Sequence, residues 1–142
     1  MKSHGSQESS TGIAAWGGAG GGNQWMVFVF NGAWSFVIGE SWPPLPFPGN
    51  PPLTDWSFVT VQCDGSVSKL KINNSEWVVS DSLAGGLAET QGDCLFTIGA
   101  GGSGNGGAPV EVDEVGLWNR ALSDAEITQL YNNGNALAYP FA

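Results

Sequence analysis

The sequence has very little positive charge. Its 142 residues include 4 Lys or Arg against 13 Asp or Glu, which gives a formal net charge of −9 at pH 7. The basic residues Lys2, Lys69, Lys71 and Arg120 are too few and too scattered to form a patch. Proteins hold nucleic acids and anionic lipid surfaces mainly through Lys and Arg, so the composition argues against both as partners. No apolar run approaches the ~18 residues that cross a bilayer, so membrane insertion is not expected.

Cysteine and histidine are also scarce, and Cys63, Cys94 and His4 are the only ones. A structural zinc site needs about four such ligands, and a Ser-His-Asp triad needs a histidine beside the nucleophile. His4 lies in a polar leader, so neither site is expected. Alternation along 59–63 and 94–98 turns both cysteines toward the core. There they either form a disulfide or remain two buried thiols.

Turn-forming and aromatic residues are abundant, while charged residues make up only 12% of the chain. The 22 Gly, 8 Pro, 7 Trp and 7 Phe indicate an all-β domain with many turns. Alternating or apolar runs predict strands within 12–16, 24–31, 33–39, 55–65, 66–74, 75–82, 94–99 and 109–119. Asn31-Gly32 favours a hairpin turn between the second and third runs. The proline-rich stretch 41–52 predicts an extended surface loop.

The closing stretch "ALSDAEITQLYNNGNA" is typical of a helix with defined ends. Ser123 and Glu126 have the spacing of a capping box, and Gly134 suits a left-handed stop, which predicts a helix over 124–132. Its apolar stripe is Ile127, Leu130 and Tyr131. So short a helix is not stable alone, so the stripe is expected to dock on the sheet and cover a sheet edge or end.

Three pieces of sequence follow one another in a recognisable order: "DWSFVTVQCDGSVSKLKINN", "LFTIG" and "VDEVGLWNRALSDAEITQLYNNG". This order closely resembles laminin-G-like domains of the concanavalin A-like jelly-roll superfamily. The resemblance implies an all-β, two-sheet antiparallel jelly-roll sandwich with one short C-terminal helix. It gives structural roles to the residues that match the family pattern: Trp56, Asp113, Glu114, Arg120, Ser123, Glu126 and Ile127.

The start of the chain departs from this family. Residues 1–12 are predicted to form a polar N-terminal arm, and residues 13–142 the domain itself. The arm lacks the apolar core of a secretion signal, as expected if a signal was removed or if the protein is a virion component released by lysis. Strands that the family usually has before the hairpin are not evident. The sandwich is therefore either minimal or completed at an edge by another chain.

The same resemblance raises the question of glycoside hydrolysis. Glu111 and Asp113 are two residues apart on one strand, as in the retaining glucanases of this superfamily. Those enzymes need a further acid/base carboxylate two or three residues along, where this chain has Val115 and Gly116. The protein is therefore predicted not to be an enzyme. Asp113 and Glu114 are instead interpreted as anchoring the last strand to the turn at Arg120.

Exposed aromatic side chains are the remaining candidates for a ligand site, because sugar rings stack on them. Trp25, Trp34, Trp56 and Trp118 lie in predicted strands and are expected in the core. The predicted ligand-binding residues are Trp42, Phe47 and Trp77. Ca²⁺ is compatible with the acidic loops, but no Asp-x-Asp spacing singles out ligands, so no metal residue and no other cofactor is assigned.

The sequence thus predicts a non-catalytic surface module for glycan binding or adhesion, carried on a virion or cell exterior. The alternative is a structural decoration or filament subunit. Such a subunit would bind copies of itself, or capsid or filament proteins, through sheet edges and the N-terminal arm. Both hypotheses place the protein outside cells or on a virion surface.

Overall fold

A computed structural model of the chain describes residues 2–3, 11–17, 23–30, 33–38, 45–46, 54–63, 67–80, 95–99, 110–135 and 137. Within these residues the strands are β1 (Lys2–Ser3), β2 (Thr11–Gly17), β3 (Asn23–Phe30), β4 (Ala33–Ile38), β5 (Leu45–Pro46), β6 (Val59–Cys63), β7 (Ser68–Ile72), β8 (Val78–Ser80), β9 (Leu95–Ile98) and β10 (Val110–Glu111). Helix α1 (Asp124–Tyr131) is followed by a 3-10 helix (Asn132–Gly134). Trp42, Phe47 and Cys94 lie outside the described residues, so the predictions for them and for the Cys63–Cys94 pair stay predictions.

The larger sheet has five antiparallel strands in the order β5-β4-β3-β2-β9. Strands β3 and β4 pair directly, with Phe30 opposite Ala33. Only residues 31–32 connect them, which confirms the hairpin predicted from Asn31-Gly32. Strand β2 confirms the short strand predicted at 12–16.

The second sheet has three antiparallel strands in the order β6-β7-β8. Val59 lies opposite Ile72 and Val61 opposite Leu70, so the strands predicted within 55–65 and 66–74 pair directly. A separate two-stranded ladder joins β1 to β10, with Lys2 opposite Glu111. The start of the chain is therefore tied to the strand that leads into the closing segment.

The two larger sheets pack face to face on one hydrophobic cluster. Its buried residues are Ile13, Val27, Val29, Trp34 and Phe36 from the five-stranded sheet and Leu70 and Ile72 from the three-stranded sheet. Partly buried Val59, Val61, Val110 and Val112 pack against this cluster. The predicted two-sheet sandwich is confirmed, as is the expected place of Trp34 in the core.

Helix α1 begins at the predicted capping box. The Oγ of Ser123 accepts a hydrogen bond from the Glu126 N–H at 3.3 Å, and the Ser123 N–H donates to Glu126 Oε2 at 2.8 Å. Each residue thus satisfies an amide that the first helical turn leaves unpaired. The helix ends at Tyr131, one residue earlier than predicted, because Asn132 adopts left-handed backbone with φ 45°.

The burial of one side chain and two contacts attach this end of the chain to the three-stranded sheet. Ile127 is only 1% exposed, and the ring centroid of Tyr131 lies 6.0 Å from that of Phe58. Just before the helix, Gln62 Nε2 donates to the carbonyl of Leu122 at 2.7 Å. The short helix is therefore stabilised by the sheet beneath it.

These contacts place α1 on the outer face of that sheet. Val59 and Val61 of β6 point into the core cluster, so residues 58, 60 and 62, which alternate with them, point the opposite way. The helix contacts the outer side of β6, an edge strand of the three-stranded sheet, which agrees with the expectation that it covers a sheet edge or end.

Segment 113–118 departs from the predicted strand over 109–119, of which only β10 is present. Glu114 has φ 52°, and its N–H donates to Asp113 Oδ1 at 2.9 Å. Left-handed backbone of this kind interrupts an extended strand. Apart from that contact, the backbone of segment 113–118 makes no hydrogen bond within the described structure.

Amide exchange tests this open segment. The amides of residues 115–118 should exchange with solvent at rates close to those of an unstructured peptide, because nothing accepts hydrogen bonds from them. The amides of Leu70 and Ile72 should be strongly protected from exchange, because they lie in β7, the middle strand of the three-stranded sheet. Hydrogen–deuterium exchange followed by NMR measures both, and equal protection would show that the segment pairs with another strand in solution.

Strand β9 also differs from its predicted environment. Alternation predicts Phe96 and Ile98 in the core, yet both side chains are exposed. Among the described strands, β9 pairs with β2 alone and forms an edge of the five-stranded sheet. Its outward side chains therefore border open space beside the sandwich and are not covered by the second sheet.

Candidate binding cleft

A cleft of about 700 Å³ opens along one side of the sandwich. Edge strands β6 and β9, one from each sheet, both contribute to its wall, as do segment 113–118 and α1. Ala14 and Val27 of the five-stranded sheet also line it. Among the described strands, β6 pairs only with β7, so its other edge faces this space.

Two tryptophans line this cleft with much of their surface free. Trp56 is 50% exposed and Trp118 is 44% exposed. Both were expected in the core because they lie in predicted strands. That expectation was wrong because β6 begins only at Val59, beyond Trp56, and because Trp118 ends the unpaired segment.

The position of the Trp118 ring depends on a glycine. A Cβ atom placed on Gly116 would collide with the six-membered ring of Trp118. Glycine at this position therefore lets the indole fold back onto the backbone of its own segment. This contact holds Trp118 on the wall of the cleft.

On the described part of the cleft wall, the side-chain oxygens of Gln62 and Thr60 are buried without hydrogen-bond partners. Gln62 is only 7% exposed, and its Oε1 accepts no hydrogen bond, although its Nε2 is held by Leu122. The Oγ1 of Thr60, on the same side of β6, also has no partner. Both oxygens are fully buried, and an unpaired buried polar group costs free energy.

Among the described residues beside the cleft, acidic side chains outnumber basic ones. The Arg120 guanidinium forms a two-point ion pair with the carboxylate of Glu126, with Nη1 3.0 Å from Oε2. Asp113 and Glu114 also line the cleft, and they form no ion pair within the described structure. The role of these two acids in anchoring the last strand to the turn at Arg120 stays a prediction, since the guanidinium itself pairs with Glu126 inside the closing segment.

Glu126 is the group whose ionisation this arrangement changes most. Hydrogen bonds from Arg120, and then from the backbone and side chain of Ser123, lower the pKa of Glu126 from 4.5 to about 2. Glu126 therefore remains charged under all but strongly acidic conditions. The ion pair and the capping box share this one carboxylate, so both depend on its charge.

Acid titration should show this dependence. Because the pKa of Glu126 is lower in the folded state, its contribution to stability is complete above about pH 4.5 and is lost as the pH falls toward 2. Carbon-13 NMR of the side-chain carboxyl should give a midpoint near 2 in the native protein. In Arg120→Gln the midpoint should rise toward the ordinary value, and an unchanged midpoint would show that the ion pair is absent in solution.

Trp77, the third predicted ligand residue, does not line the cleft. Its indole N–H donates to Asp124 Oδ1 at 2.9 Å. The ammonium groups of Lys69 and Lys71 lie 4.3 and 5.3 Å from the centroid of its ring. These contacts connect the three-stranded sheet to the first turn of α1. The structure thus separates Trp77 from Trp56 and Trp118, and its predicted ligand role stays a prediction.

Two other kinds of site were sought in the described part of the chain. No three His, Cys, Asp or Glu side chains there come together as a metal ion would require. None of the helices in that part has the length and apolar composition needed to span a membrane.

The fold and the cleft together define the class of protein: a small antiparallel two-sheet sandwich with an aromatic-lined cleft along one side. A laminin-G family model, described as "Concanavalin A-like lectin/glucanases superfamily", matches residues 2–128. The chain therefore belongs to this superfamily. No curated protein and no solved structure matches the chain.

Proposed function

We propose that this protein is a non-catalytic surface module that binds glycans in the cleft between β6, β9 and segment 113–118. The observation that carries the proposal is the pair of half-exposed tryptophans, Trp56 and Trp118, on the same cleft. Sugar rings present apolar C–H faces that stack on indole, and their hydroxyl groups need nearby polar partners. The exposed carboxylates of Asp113 and Glu114, which line the same cleft, supply acceptors for such hydroxyls.

The cleft is proposed to bind glycans without hydrolysing them, for a chemical reason. Hydrolysis of a glycosidic bond needs a general acid beside a nucleophile or base. Glu111 and Asp113 have the spacing of the carboxylates in the retaining glucanases, but Val115 and Gly116 stand where those enzymes need the acid/base carboxylate. Membership of the superfamily is compatible with a binding module of this kind.

Location on a virion or cell exterior is part of the same proposal. Laminin-G-like domains are typically extracellular, and a net charge of −9 favours solubility and monodispersity. A ligand-binding role for Trp42 and Phe47 remains a prediction from the sequence. The principal ligand contacts are assigned to Trp56 and Trp118.

A glycan array tests this function. Wild type should bind a defined set of glycans, and the double variant Trp56→Ala/Trp118→Ala should lose that set. Trp42→Ala and Trp77→Ala, assayed in parallel, show whether either residue contributes. Val79→Ala is the matched control, because Val79 is an exposed apolar residue that does not line the cleft. Absence of wild-type binding to any glycan would refute the proposal.

A second candidate function is a structural subunit that associates with copies of itself or with capsid or filament proteins. The observation that favours it is segment 113–118, which combines free backbone groups with the exposed side chains of Val115 and Leu117. Such a segment can pair with a strand of another molecule. Light scattering after size exclusion, with and without residues 1–12, tests this candidate, and a monomer in both cases over a wide concentration range would refute it.

A further inference from the structure

Segment 113–118 is attached beside strand β6 at both of its ends. Before the segment, Val112 packs against the core cluster that β6 also contacts. After it, the carbonyl of Leu122 accepts a hydrogen bond from Gln62 Nε2 at 2.7 Å. Between these two attachments, no hydrogen bond fixes the last four residues of the segment within the described structure. The segment is therefore held near β6 without being paired to it.

The edge of β6 that faces the cleft is also unpaired among the described strands. The N–H of Asn73 donates to the Phe58 carbonyl at 2.7 Å, so alternate residues from Phe58 onward direct their backbone groups toward β7. Val59 and Val61 direct theirs to the opposite edge, and both line the cleft. Segment 113–118 lines the same cleft. Two stretches of backbone that lack ladder partners thus border one space.

The left-handed backbone of Glu114 sets which side chains of the segment share a face. In a regular strand the even-numbered positions would continue the face of Val112, which points to the core. A left-handed residue can instead form a β-bulge, which adds one residue and shifts the alternation by one. Val115 and Leu117 then share the face of Val112, and Trp118 takes the opposite face. Val115 and Leu117 are 50% and 69% exposed in this structure.

An apolar space lies on each side of the segment. On the core side is the cleft of about 700 Å³, whose lining includes Phe96 and Ile98. On the side of α1 is a recess of about 400 Å³, to which Trp118, Leu130 and Leu137 contribute. Moving exposed apolar side chains into such spaces removes apolar surface from water, which is favourable.

We propose that segment 113–118 is a strap that closes the cleft by pairing with the free edge of β6. In the closed form Val115 and Leu117 fill the cleft, and Trp118 packs into the recess beside α1. The open form is the one in this structure, with Trp56 and Trp118 on the cleft wall. Closure would therefore remove the ligand site. That consequence rests on the proposed function, whereas closure itself does not.

Gly116 favours the open form for two reasons. A glycine weakens a strand, because it loses more backbone freedom than other residues when it pairs. Its missing Cβ also leaves room for the indole of Trp118, since a Cβ there would collide with the ring. Valine at this position removes both effects and has a high strand propensity. Gly116→Val should therefore shift the protein toward the closed form.

Hydrogen–deuterium exchange followed by NMR tests closure without any ligand. In Gly116→Val, alternate amides of residues 115–118 should exchange about tenfold more slowly than in wild type, because they donate to β6. Adding Val115→Ser and Leu117→Ser to this variant should restore fast exchange. Val79→Ser in the same background is the matched control, because Val79 is an exposed valine that does not line the cleft. It should leave the slow exchange in place.

The outcomes that would overturn the proposal are specific. Fast exchange at residues 115–118 in a Gly116→Val protein whose β7 amides stay protected would show that the segment does not pair. Slow exchange that survives Val115→Ser/Leu117→Ser would show that these two side chains do not drive closure.

Wild type supplies a second measurement in case Gly116→Val does not fold. Exchange between open and closed forms should give relaxation dispersion on the microsecond-to-millisecond scale at residues 115–118. Val115→Ser/Leu117→Ser should abolish it, and Val79→Ser should not. Absence of dispersion in wild type would overturn the proposal.

Glycan titration separates the strap from the proposed function. Gly116→Val should bind an array-positive glycan about tenfold more weakly than wild type, and adding Val115→Ser/Leu117→Ser should restore part of the affinity. An empty glycan array would refute the proposed function, while the exchange measurements would still decide whether the strap closes. Fast exchange in Gly116→Val together with intact glycan binding would overturn the strap alone.

Discussion

Replacing Ile127 with alanine should lower the free energy of unfolding by about 2–5 kcal/mol, the usual range for truncating a buried isoleucine. Ile127 is 1% exposed and is the only buried residue of α1. A helix of eight residues cannot form alone. Loss of this side chain therefore weakens both the packing and the attachment of the helix to the sheet.

Urea denaturation followed by tryptophan fluorescence measures this change. Gln129→Ala is the matched control, because Gln129 is exposed on the same helix and its truncation should change stability by no more than about 0.5 kcal/mol. Equal midpoints for the two variants would show that α1 does not dock through Ile127. The helix would then have to be held by its other contacts, at Phe58 and Gln62.

Removal of both cleft tryptophans should weaken glycan binding by about 30-fold or more. Each indole that stacks on a sugar contributes about 1–2 kcal/mol from buried area and ring contact, and each 1.4 kcal/mol is a factor of ten in affinity. Trp56→Phe and Trp118→Phe should keep part of the affinity, because a smaller ring remains. Gly116→Ala should weaken binding while leaving both rings present, because the added Cβ displaces Trp118.

Calorimetric titration of one array-positive glycan against all of these variants gives the affinities. Val79→Ala should bind like wild type, and all variants should keep their fluorescence-monitored unfolding transition. If the double variant Trp56→Ala/Trp118→Ala bound as tightly as wild type, the site would have to lie elsewhere on the protein. Trp77 and the proline-rich stretch 41–52 would then be the next candidates.

Local sequence signals predicted the features of the fold that depend on local interactions. Asn31-Gly32 between two apolar runs defined a hairpin, and Ser123 with Glu126 defined a helix start; both are present. Each signal acts over a few residues, where backbone preference and short-range hydrogen bonds decide the conformation. The closing segment also indicated the superfamily, which the family match over residues 2–128 confirms.

The cleft could not be predicted from the same signals because it depends on where a strand fails to pair. The alternation in "VEVDEVGLW" favours a strand, but Glu114 adopts left-handed backbone and the ladder stops at Glu111. As a result Trp118 borders the cleft, although its place in the alternating sequence is typical of a core residue. The burial of Trp34 followed from its place in the middle of a sheet, whereas Trp56 lies just before its strand begins.

NMR of the tryptophan indole N–H groups tests most directly the central claim that a glycan binds in this cleft. The indole N–H signals are assigned with single Trp→Phe variants, and an array-positive oligosaccharide is then titrated into wild type. The signals of Trp56 and Trp118 should shift with the same saturation curve, while those of buried Trp34 and of Trp77 stay in place. Binding that shifts neither Trp56 nor Trp118 would contradict the claim.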